Sequence, residues 1–309
     1  MKFLPTTKEE MKNLGWDSID VLLISGDTYL DTSYNGSALV GKWLVEHGFK
    51  VGIIAQPEVD VPDDITRLGE PNLFFAISGG CVDSMVANYT ATKKRRQQDD
   101  FTPGGVNNKR PDRAVLVYSN MIRRFFKGTT KKIVISGIES SLRRITHYDY
   151  WTNKLRKPIL FDAKADILSY GMGEMSMLQL ATALKNGEDW QNIRGLCYLS
   201  KENKEDYLSL PSHSECLADK DKFIEAFHTF YLNCDPITAK GLCQKCDDRY
   251  LIQNPPSESY SEEIMDKIYA MEFARDVHPY YKKMGAVRAL DTIKYSVTTH
   301  RGCYGECNF

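Results

Sequence analysis

Apolar runs of five or six residues alternate with longer amphipathic stretches over the first two-thirds of the chain. The runs at 19–24, 50–55, 72–77, 132–136 and 165–170 are apolar at most positions. Strands of that kind are buried on both faces, as in a parallel sheet covered by helices. Stretches at 36–47, 112–126 and 171–185 carry helical spacing, and Gly48 supplies a C-terminal stop to the first of them. The alternation predicts an α/β, doubly wound, Rossmann-like parallel sheet over residues 1–200.

The pattern changes from about residue 192. A short strand at 195–199 is followed by a charged turn at 201–206, helices at 220–233 and 261–273 and a strand at 249–253, which predict a smaller α+β connecting segment over 201–290. Ser261 and the acids after it mark a helix start. A last strand-like run, 295–300, opens the stretch 291–309. Residues 90–112 follow no pattern and predict a long inserted loop, a feature that is usually functional or disordered.

A chain of 309 residues exceeds one ordinary core. Its 42% hydrophobic and 26% charged content describe a soluble globular protein, and the net charge of -1 argues against global attraction to nucleic acid or anionic membrane. No apolar run reaches membrane-spanning length and the N-terminus lacks a signal-peptide pattern, so a cytoplasmic location is expected. The basic cluster of Lys93, Lys94, Arg95, Arg96, Lys109 and Arg110 could contact RNA. The nearby Asp99, Asp100 and Asp112 favour an internally paired or solvated loop instead. The eight cysteines are unevenly placed and read as reduced thiols or metal ligands, not a disulfide framework. Cys234, Cys243 and Cys246, with Cys216, His213 and His228 near them, offer a candidate zinc site against the plainer reading of unligated thiols.

Predicted strands end in serine or glycine before a helix. Sheets of this class bind ligands outside the carboxyl ends of their strands, where helix amides meet anions. Neither G-x-G-x-x-G nor a phosphate-binding Walker loop is present. Ser25, Asp27, Ser78 and Gly79 are therefore candidate ligand-facing residues, as are Glu139, Arg143, Arg144 and His147 after the fourth strand. Against these stand tight-turn geometry for the glycines, helix capping for Asp27, and a buried salt-bridge network for the later group.

Cys303 and Cys307 form a C-x3-C pair in a glycine-containing loop after the last predicted strand. Zinc favours C-x2-C or C-x4-C, so the spacing points elsewhere. It matches the first two cysteines of C-x3-C-x2-C, the cluster loop of radical S-adenosylmethionine (SAM) enzymes. The segments 25–27 (SGD), 52–57 (GIIAQP), 93–96 (KKRR), 102–105 (TPGG), 110–114 (RPDRA), 118–120 (YSN), 137–139 (GIE), 141–144 (SLRR), 147–151 (HYDYW), 248–250 (DRY), 253–256 (QNPP) and 301–303 (RGC) agree. Together the chain resembles the N-terminal half of YgiQ-type radical SAM proteins. The resemblance implies a partial barrel beginning near residue 295, a 4Fe-4S cluster on three cysteines of which Cys303 and Cys307 are two, and SAM on the open iron. The enzyme would cleave SAM reductively to a 5′-deoxyadenosyl radical, with an electron donor and an unknown substrate. The sequence stops where the third cysteine would come, so a chain truncated inside the cluster loop and inactive alone is expected. The loop 31–36 also resembles the D-x-H-x-x-G loop of cobalamin-binding domains, with Asp31 and Gly36 in place but Ser33 for the histidine. Two alternatives stay open: a non-catalytic module binding a small molecule or RNA, and a cobalamin-dependent radical methylase.

Overall fold

The computed structural model describes residues 1–298 and 301. Its spine is a sheet of nine strands, and a separate two-stranded hairpin lies beside it. The strands are β1 (Val21–Ser25), β2 (Val51–Ala55), β3 (Phe74–Ser78), β4 (Lys132–Ser136), β5 (His147–Asp149), β6 (Lys154–Arg156), β7 (Ile167–Ser169), β8 (Leu196–Ser200), β9 (Leu208–Leu210), β10 (Leu242–Cys246) and β11 (Arg249–Gln253). The large sheet runs β2-β1-β3-β4-β7-β8-β11-β10-β9, and β5 pairs with β6.

The first five strands of that order are parallel. Their period-two alternation sends each strand's side chains to two cores. Leu22, Ile24, Phe75, Ile77, Ile133 and Ile135 face the helix Ala114–Phe125. Val21, Leu23, Phe74, Ala76 and Val134 face the helices Gly36–Glu46 and Gly173–Asn186. This is the doubly wound arrangement expected. Connections run outward both ways from β1 and β3, which makes the junction of those strands a topological switch point.

Beyond β7 the expectation needs correcting. The strands β11, β10 and β9 of the expected connecting segment join the same sheet through β8, and β7, β8, β11 and β10 pair antiparallel in turn. The sheet therefore passes through the expected boundary at residue 200. The rest of the connecting segment folds back on the N-terminal half. Leu30 bridges Val277, the Tyr281 hydroxyl accepts from the Ala55 amide at 2.7 Å, and the Ala289 amide donates to the Asp100 carbonyl at 2.9 Å.

Residues 295–298, expected to open a barrel strand, form no strand, and 299–300 lie outside the described residues. The helix expected over 261–273 ends earlier, at Glu262–Ala270. The stretch 90–112 is a loop as expected, pinned by the bridges Tyr89–Arg95 and Gln98–Val106. No helix among the described residues is long and apolar enough to cross a membrane.

Candidate functional site

Registration across the parallel strands aligns Ser25 with Ser78 and Ser78 with Ser136, so three serines end β1, β3 and β4 in one row. Ser169 ends β7 beside them. Above this row, between the first turns of the helices Gly36–Glu46 and Gly173–Asn186, lies a cavity of about 370 Å³. Leu39, Val40 and Met177 give it an apolar side, while Asn35, Glu174 and Arg301 give it a polar one.

The strand ends approach each other closely. A Cβ on Gly26 would lie 2.1 Å from the Gly79 carbonyl oxygen, so glycine is required there. Gly137, in the left-handed region at φ +80°, makes the turn out of β4. Ser25 accepts from the Asp27 amide at 3.1 Å, and Ser78 from the Gly80 amide at 3.2 Å. The Ser169 and Ser176 hydroxyls lie 2.9 Å apart. Asn35 caps its helix through the Ser37 amide at 3.1 Å. The helix Gly173–Asn186 has no side-chain cap. Glu174, 2% exposed, pairs with Arg301 and accepts from the Tyr260 hydroxyl at 3.0 Å. The guanidinium of Arg301 lies 6.0 Å from the Tyr260 ring and 5.9 Å from that of Tyr269. This aromatic and ionic clamp sets residue 301 at the cavity wall, two positions before Cys303.

Of the candidate ligand-facing residues, Ser25 and Ser78 line the cavity, and so does Gly36 of the cobalamin-like loop. The others hold the surrounding structure together. Asp27 is buried against Arg110, which also reaches Asp99 at 3.1 Å and donates to the Gly26 carbonyl at 3.0 Å. Burial pushes the Glu139 carboxyl up from its ordinary range, and it accepts the Ser84 and Val115 amides at 2.9 and 3.1 Å. It thereby serves the N-termini of two helices, and Gly79 is glycine because a Cβ would lie 2.4 Å from that carboxylate. Arg143 pairs with Asp83, the N-cap of the first of those helices. Arg144 donates to Gln253 at 3.2 Å and stacks on Tyr170 and Phe230 at 4.2 and 4.8 Å. His147 opens β5, and its Nδ1 lies 3.2 Å from the Ile145 carbonyl. Among the described residues the salt-bridge network named as the plainer alternative is present at Arg143, while Glu139, Arg144 and His147 use amides, a glutamine, aromatic rings and a carbonyl instead.

Asn35, Ser136, Ser169, Glu174 and Arg301 were not among the sequence-derived candidates. Ser136 and Ser169 carried the same strand-end signal as Ser25 and Ser78. Asn35 lies within the loop 31–36, at a position that the cobalamin-like pattern leaves unspecified. Asp31, of the cobalamin-like loop, is fully buried and paired with Lys42 at 2.8 Å, and it accepts from the Tyr29 hydroxyl at 2.9 Å. The zinc reading fails on strand geometry. Cys243 and Cys246 lie three apart on β10, so their thiols face opposite sides of the sheet. No group of three or more possible metal ligands occurs among the described residues. The basic loop is internally paired at Lys93 with the Tyr150 carbonyl (3.1 Å), Arg95 with Asp112 (3.4 Å) and Lys109 with Glu58 (2.7 Å). Cys303 and Cys307 lie outside the described residues.

The Radical SAM N-terminal family matches residues 3–296. The chain belongs to that family. Curated relatives carry the name UPF0313 protein: one from Fusobacterium nucleatum is 97% identical over all of this chain and 54% of its own length. A Thermotoga neapolitana protein is 50% identical over 99% of this chain and 54% of its own. A Clostridium botulinum protein is 44% identical, with 48% of its length covered. The chain thus spans about half the length of the curated relatives it matches. Among solved structures, the radical SAM methyltransferase TsrM from Kitasatospora setae aligns at a TM-score of 0.36 and 16% identity, over 58% of this chain and 28% of that one.

Proposed function

We propose that the chain is the N-terminal region of a YgiQ-type radical SAM iron–sulfur enzyme whose substrate is unassigned. The observation that carries this reading is the family match over 3–296, followed directly by the pair Cys303-x3-Cys307. Soft, anionic thiolates suit iron–sulfur clusters, so the donor set fits the group in kind. Two cysteines fall short in number, since a cluster with one open iron takes three. When bound, the cluster supplies the electron that cleaves SAM to a 5′-deoxyadenosyl radical. The protein's part in such chemistry is binding, orientation and exclusion of water. In this region Arg301 and Glu174 tie the approach to Cys303 onto the sheet, and the aromatic rings of Tyr260 and Tyr269 cover that tie.

Anaerobic iron and sulfide reconstitution of the intact protein, followed by reduction with SAM present, tests the reading. The expected result is one 4Fe-4S cluster per chain by iron analysis and electron paramagnetic resonance, with 5′-deoxyadenosine released. Cys303→Ala and Cys307→Ala should each abolish both signals, and the 309-residue chain alone should hold no SAM-cleaving cluster. Intact protein that binds no cluster would sink the proposal in favour of a non-catalytic binding module.

A further inference from the structure

The cavity over the serine row has features that the packing around it does not account for. Asn35 lines it, is 4% exposed, and leaves its Nδ2 without a partner among the described residues, while its Oδ1 serves as a helix cap. A buried amide donor left unpaired carries its desolvation penalty uncompensated, which a ligand acceptor would remove. The same cavity receives the first turns of two helices, of eleven and fourteen residues. The longer one has no side-chain cap; its Met175 amide donates to the Tyr260 hydroxyl at 3.3 Å, and the amides of Gly173 and Glu174 are left for an acceptor. Both helix dipoles place partial positive charge at that end. Ser25 already accepts a backbone amide and keeps its own hydroxyl hydrogen for donation. Glu174, the acid on this wall, is neutralised by Arg301. On the polar side Asn35 and Ser25 therefore offer donors, and the carboxylate that lines it is already paired. The opposite side, Leu39, Val40 and Met177, is apolar.

We infer that this cavity is a binding site for a small organic anion, a carboxylate or a phosphate ester on an apolar body. Its oxygens would accept from Asn35 and the first turn of Gly173–Asn186, and its apolar part would rest on Val40 and Met177. The site uses only residues outside the C-x3-C loop, so it stands or falls independently of iron binding.

Iron-free intact protein should be titrated with three probes of one shape: 1-naphthyl phosphate, 1-naphthaleneacetate and the neutral 2-(1-naphthyl)ethanol. Calorimetry or ligand fluorescence should detect at least one anion, bound at least about tenfold more tightly than the alcohol. Whichever anion binds identifies the head group as phosphate or carboxylate. Asn35→Asp keeps a helix-capping oxygen but exchanges the donor for a negative charge. It should weaken anion binding by at least about tenfold with the melting temperature little changed. Should that variant not fold, Val40→Trp decides the matter by filling the apolar side, and it should abolish binding. Failure of both anions to bind, equal binding of the alcohol, or unchanged affinity in a folded variant would overturn the inference.

Discussion

Single residues in this chain divide into those that face the cavity and those that hold its frame, and polar character alone does not separate the two. Glu139 and Arg143 have the composition of a reactive cluster, yet their partners are helix amides and an N-cap acid. Asn35 has the composition of an ordinary cap, yet its Nδ2 has no partner among the described residues. The difference lies in where neighbouring chain segments put complementary groups, which no local pattern encodes. His147 shows the same dependence in its proton affinity. Burial lowers its pKa from 6.5 to about 4, opposed by the Ile145 carbonyl and reinforced by Arg143. The unfolded chain then takes up a proton that the fold refuses. Stability from this residue is full above pH 6.5 and falls as pH drops toward about 4. The loss approaches about 3 kcal/mol, at roughly 1.4 kcal/mol per tenfold change in proton affinity. Denaturant unfolding between pH 7 and 4 should show this slope in the wild type and a flatter one in His147→Asn; identical slopes would remove histidine burial as the cause.

At the scale of elements, the parallel strands were readable because burial on both faces leaves them apolar throughout. The first four appear within two residues of their expected bounds. Strands near the sheet's other end were harder. The strand β10 carries Cys243, Gln244, Lys245 and Cys246, whose C-x2-C spacing imitates a metal loop, while its burial comes from pairing with β11. The turns between elements carry their own constraint. In Gly26→Ala the new methyl would meet the Gly79 backbone at 2.1 Å, and backbone yields less readily than a side chain. Overpacking of this kind costs typically about 1–3 kcal/mol and here should reach or exceed the upper figure. Urea unfolding should give a midpoint well below that of the wild type; an unchanged midpoint would show that the strand ends can part without loss.

Across the whole molecule, the sheet is continuous where the sequence suggested a boundary. The strand β8 receives β7 on one side and β11 on the other. A chain ended after Ser200 would leave β8 with an open edge and bare the apolar side chains that β10 and β11 cover, and such an edge invites aggregation. It should be insoluble or aggregated by size-exclusion chromatography while the full chain stays in solution. A monodisperse, cooperatively unfolding 1–200 fragment would restore the two-unit reading. Arg301 gives the whole-molecule view of the site: an ion pair with Glu174, spanning 127 positions, holds it on the wall of the switch-point cavity.

The sequence by itself determined the class of fold, the strands of the parallel half, the inserted loop and the C-x3-C spacing at 303 and 307. These rest on local periodicity, turn residues and ligand spacing, which are properties of neighbours along the chain. It also marked Ser25 and Ser78, because a strand end before a helix is a local event. Only the tertiary structure decided that residues beyond 200 complete the same sheet, that Asp27, Glu139, Arg143 and Arg144 are braces, and that Asn35, Glu174 and Arg301 share one cavity. Those outcomes depend on contacts between segments tens to hundreds of residues apart, and their energies come from burial and pairing that exist only once the chain has closed on itself.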